Sequence, residues 1–76
     1  MRDEERMRRF MALVSVNYQI GLIDNDKTMD FSLFSKIYDE YRQMFIDRFG
    51  FDPDKWAREN PMRFRMLEME NGLLMP

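Results

Sequence analysis

MDFSLFSKIYDEYRQMFIDRFGFDPDKW, residues 29–56, decides the fold. Asp30 is a short carboxylate placed to accept from the free N–H groups of a first helical turn, and its charge suits the positive end of the helix dipole. Apolar residues then recur at three- and four-residue spacing: Phe31, Phe34, Tyr38, Tyr41 and Phe45, with Leu33, Ile37 and Met44 in a row beside them. Lys36, Asp39, Glu40, Arg42, Gln43, Asp47 and Arg48 fill most of the other face, and Ile46 stands apart from both apolar rows. Gly50 can take the left-handed conformation without a Cβ penalty, so the helix is expected to end at Phe49. Asp52 then caps a second helix, with Pro53 at the first position, where a missing N–H does no harm. Met29 with Phe34, and Phe51 with Trp56, have the spacing of hydrophobic staples.

Upstream, residues 3–20 read as a first helix. Met7, Phe10, Met11, Val14 and Tyr18 make one apolar row, and Leu13, Val16 and Ile20 make another, so the last two turns are apolar on most sides. Gly21 is the expected C′ residue, with Leu22 folding back on Val16. Arg2, Arg6, Arg8 and Arg9 form a basic cluster, but Asp3, Glu4 and Glu5 lie among them. Glu4–Arg8 and Glu5–Arg9 have the favourable i,i+4 orientation, so this reads as a self-paired, solvated face.

Between the first two helices, Asp24, Asp26, Thr28 and Asp30 fall at positions 1, 3, 5 and 7 of a calcium-loop template. The template's glycine is Met29 here and its bidentate glutamate is Ser35, so the segment reads as a polar helix–helix connection. Downstream, Asn60-Pro61 ends the helix begun at Pro53 near Glu59, because a residue before proline avoids the α region. Pro61 then opens a fourth helix with Asn60 as its cap. Met62, Met66, Met69 and Leu73 follow at helical spacing, with Phe64 and Leu67 beside them, and Gly72 closes the helix. The strict alternation of MRFRM, residues 62–66, offers a strand as the alternative, which would need the sheet edge of another protein as its partner.

The expected fold is therefore all-α: a small three- to four-helix bundle built on an antiparallel helical hairpin. One domain spans residues 1–76, with helices at about 3–20, 31–49, 53–59 and 61–71. Trp56, Phe45, Phe49, Tyr41, Phe34, Phe10, Val14 and Tyr18 should make the centre of its core.

Composition bounds the function. The chain has 76 residues, a net charge of −2, and neither cysteine nor histidine. Disulfides, thiolate nucleophiles and the common zinc sites are thereby excluded, and the acidic balance gives no global attraction to nucleic acid or anionic membrane. No apolar run is long enough to span a bilayer, and the absence of cysteine fits a reducing cytoplasm. Ser15, Ser32 and Ser35 have no histidine to activate them, and no phosphate loop or dinucleotide fingerprint occurs. An enzyme is not expected, and neither is a cofactor or a metal.

What remains is an apolar surplus: 9 Met and 11 aromatic residues. Methionine is favoured on adaptable binding surfaces, and a domain this small leaves much of its apolar surface outside. The expectation is a protein-binding module that occupies a surface of a larger protein through Met62, Arg63, Phe64, Arg65, Met66, Met69, Leu73 and Ile46. Its profile is that of the small inhibitors that phages and other mobile elements direct at host machinery, anti-CRISPR proteins among them; that step is association by profile and rests on no motif. A self-assembling scaffold subunit, such as a homodimer, is the alternative, since association would also relieve the small core. A nucleic-acid-binding regulator using the first helix with Arg63 and Arg65 ranks last.

Overall fold

The computed structural model describes residues 2–72. Four helices follow in order: α1 (Asp3–Asp24), α2 (Phe31–Phe49), α3 (Pro53–Glu59) and α4 (Pro61–Glu70). No strand occurs among the described residues, and the fold is a small all-α bundle. MRFRM is helical, so the strand alternative is not taken. No helix is long and apolar enough to cross a membrane, among the described residues.

α1 and α2 form the antiparallel hairpin. The direction follows from the ring pairs: Phe10 meets Phe45 at 5.5 Å between centroids, while Tyr18, two turns further along α1, meets Phe34 at 5.3 Å, three turns earlier in α2. Both pairs are edge-to-face, the arrangement that the ring quadrupole favours. The expected α1 row is the centre of the core, with Met7, Phe10, Met11, Val14 and Tyr18 all buried. Ile37, Phe45, Phe51, Trp56 and Leu67 complete it from the other elements, with Phe34, Tyr38, Tyr41 and Phe64 half-buried around them.

Asp30 caps α2 as its position implies: its side chain accepts from the Leu33 N–H at 3.0 Å. Its other carboxylate oxygen takes Lys27 Nζ at 3.2 Å, so this member of the calcium template is already engaged. At the far end Gly50 has φ +62° and closes the helix through its N–H to the Ile46 carbonyl. Asp52 caps α3 by accepting from the Asp54 N–H at 3.0 Å. Phe51 and Trp56 are both buried, as a closed staple requires.

Several expectations are corrected. α1 does not stop at Ile20 but continues to Asp24, with Gly21 inside it. A side chain at Gly21 would meet the Leu33 Cδ2 at 2.7 Å, so the glycine serves the close approach of α2 and not a helix end. Leu22 accordingly stays helical, with its carbonyl accepting from the Lys27 N–H at 2.9 Å. Met29 is exposed, where a staple on Phe34 would cover it. Tyr18 takes that place by stacking edge-on to Phe34 and accepting the Asp30 N–H at its hydroxyl, 3.0 Å away.

Phe49 is 48% exposed and lies outside the core. Gly50 turns the chain directly after it, and Phe51 fills the interior instead. Phe31, in the expected apolar row, is also exposed, because it precedes the first full turn of contact with α1. Asn60 does not cap α4: its side-chain amide donates backwards to the Trp56 carbonyl at 3.0 Å, closing α3. α4 ends at Glu70, followed by Gly72 at φ +65°.

The ion pairs of α1 also run elsewhere. Glu4 meets Arg63 at 2.6 Å and Arg8 meets Glu70 at 3.3 Å, both across to α4, while Arg6 pairs with Asp3 at 3.1 Å. The i,i+4 pair Glu4–Arg8 is not formed, because α4 lies within reach of both side chains and offers each an opposite charge. Glu5–Arg9 is not formed either, and nothing in the structure explains why.

Candidate functional site

α4 lies against α1 and α3, with no close backbone approach to α2. Its inner face is Leu67, fully buried, and Phe64, packed against the core. Helical spacing then dictates what faces outwards: Met62, Met66 and Met69, at i, i+4 and i+7, are 81%, 48% and 62% exposed. Three polar contacts hold this helix in place. Besides Glu4–Arg63 and Arg8–Glu70, the buried Ser15 hydroxyl donates to the Asn71 carbonyl at 2.8 Å and accepts from Gln19 Nε2 at 3.1 Å. Hydrogen bonding to Arg63 holds the Glu4 carboxyl below its ordinary range, and burial pushes that of Glu68 up.

The sequence-derived patch is thus divided. Met62, Met66 and Met69 form the outward face, and Arg65 is exposed near it. Arg63 is tied to Glu4, and Phe64 belongs to the inner face. Ile46 is half-buried on α2, which α4 does not adjoin. Leu73 lies outside the described residues.

A second apolar face was not assigned from the sequence. On α1, Leu13, Val16, Ile20 and Ile23 recur at three-, four- and three-residue spacing and are 39%, 54%, 52% and 77% exposed. Leu13 also lines a cleft of about 240 Å³ between α1 and α2, with Arg6, Arg9, Met44, Phe45, Arg48 and Phe49. The floor of this cleft is apolar and its rim carries three guanidinium groups. The Arg6 guanidinium carbon lies 5.9 Å from the Phe49 ring centroid, within cation–π range. The signal for this face was present as the second α1 row; periodicity alone does not say which of two rows a neighbouring helix will cover.

The most organised polar group is at the α2–α3 junction. Tyr38 donates to Asp54 at 2.5 Å, and Arg42 makes a two-pronged contact with Asp52 at 3.0 and 3.1 Å while reaching Asp54 at 3.1 Å. Burial, then the bond to Asp54, raises the Tyr38 pKa, and the Arg42 bonds hold Asp52 low. These contacts fix α3 to α2, so the cluster is a clamp. Comparison with protein-family models, with curated proteins and with solved structures finds no match to this chain.

Proposed function

We propose that this chain is a non-enzymatic module that binds a larger protein through the outward face of α4. The observation that carries the reading is the triad Met62, Met66 and Met69, exposed along a helix whose opposite face is anchored to the core. Unbranched thioethers adapt to a partner's contour at low cost in strain, and a helix face laid into a groove uses this i, i+4, i+7 spacing. Arg65 on the same helix supplies a charged rim. In this reading the chain is an inhibitor of phage or mobile-element origin, anti-CRISPR-like, that acts in a reducing cytoplasm by covering a site on a host protein. Binding to nucleic acid is disfavoured by the engagement of Arg6, Arg8 and Arg63 with carboxylates.

The test is a paired capture from a nuclease-treated host lysate, with the wild-type chain and with Met62→Asp, Met66→Asp and Met69→Asp combined. All three side chains are exposed, so the helical circular dichroism should not change. One larger protein recovered in near-equal amount by the wild type and lost by the triple variant supports the reading. A partner retained by the triple variant moves the site off α4, and recovery of no protein by either chain ends the proposal.

A further inference from the structure

We infer that the outer face of α1 binds the same face of a second copy, with the two α1 helices antiparallel. Leu13, Val16, Ile20 and Ile23 repeat at the three–four alternation that packs one helix against another along a narrow seam. Their side chains are already exposed beside the cleft formed by Leu13, Met44, Phe45 and Phe49. Two-fold symmetry through the middle of this stripe brings every member to a partner. Ile23 of one copy meets Leu13 of the other, Val16 meets Ile20, and each pairing occurs twice.

Charge selects the second copy as the occupant. One end of the face is basic, with Arg9 and Arg48 on the cleft rim. The other is acidic, with Asp24 closing α1 and Asp26 in the turn beyond. None of these four side chains has an ion-pair partner among the described residues, whereas the neighbouring Lys27 is neutralised by Asp30. Asp24 also sits at the negative end of the α1 dipole, where no basic residue of the last turn offsets it. With Ile23 against Leu13, a rise of about 1.5 Å per residue puts Asp24 of one copy about 4.5 Å along the axis from Arg9 of the other, within reach of an arginine side chain. A parallel pairing would instead set like charges together at both ends. The antiparallel pair uses a different face from the α4 methionines, so it stands or falls independently of the proposed function.

The test is the mass of the full chain by sedimentation equilibrium over roughly a hundredfold dilution series. The expected result is twice the 9.4 kDa chain mass at high concentration, falling towards the single mass on dilution. Val16→Glu, a change at an exposed position near the symmetry axis, should give the single mass throughout with unchanged ellipticity. Arg9→Asp and Asp24→Arg should each weaken association by about tenfold, and the chain carrying both should recover most of that loss. The single mass at every concentration, or a dimer indifferent to Val16→Glu, overturns the interface. A double variant no tighter than either single variant overturns the antiparallel arrangement.

Discussion

α3 and α4 are both short helices added to the same hairpin, and they are attached by different physics. α3, of seven residues, enters through a left-handed glycine, a capped first turn and a buried aromatic pair, and Arg42 and Tyr38 clamp its first carboxylates. α4, of ten residues, contributes one fully buried side chain, Leu67, and the half-buried Phe64, and is held besides by a buried serine and two ion pairs at the surface. Desolvated contacts are strong and insensitive to salt, whereas exposed ion pairs are weak and screened. The candidate binding face is therefore carried by the more lightly held helix. The α2–α3 junction beside it fixes where that helix starts.

The contrast can be broken first at Trp56. Trp56→Ala should cost about 3–5 kcal/mol in chemical denaturation followed by ellipticity, because it opens a cavity under the α2–α3 junction. A loss below about 1 kcal/mol would mean that the staple is not what holds α3.

At the other seam, Ser15→Ala should cost about 1 kcal/mol, since it removes the donor to the Asn71 carbonyl. Amide hydrogen exchange should localise that loss to α4 and leave α3 protected. Equal loosening of both helices would contradict their independence.

Acid sharpens the comparison further. Asp52 is held below its ordinary 3.8 by Arg42, so its stabilising contribution is complete above that value and is lost as pH falls through the lower folded value. Glu4 behaves likewise on the α4 side. Glu68 has the opposite sign: burial raises its pKa above 4.5, so protonation on descending towards that value favours the folded state. The α4 seam thus has opposing contributions and the α3 junction does not. Trp56 is the only tryptophan and reports on α3, so its emission should shift below about pH 4. Emission that stays constant to pH 2 would remove the Arg42–Asp52 clamp from the account. The smallest effect belongs to Arg63→Ala, which should leave the melting temperature at high salt unchanged and lower it only slightly at low salt.

The parts of the fold legible in the sequence were those decided locally. Asp30, Gly50, Asp52 and Pro53 announce helix ends because each acts within one turn of chain, and α2 and α3 have the boundaries these residues imply. The buried row of α1 was legible for the same reason, as five apolar residues on one helical face. Gly21 was misleading because a glycine that ends a helix and one that admits a neighbouring helix look alike until Leu33 is in place. Glu4 and Arg8 were misleading because an i,i+4 partner is always within reach on paper, and only the position of α4 shows that Arg63 and Glu70 compete for the same charges. The methionine face of α4 could be read from spacing, but its separation from Phe64, Arg63 and Ile46 could not.

What the sequence determined by itself was the number of helices, their approximate ends and the apolar surplus, since these follow from backbone capping and the 3.6-residue repeat. Tertiary structure alone decided which apolar rows are buried. α1 carries two such rows, and α2, α3 and α4 between them can cover only one side of a helix; the row left outside is the one that gives the molecule a second face.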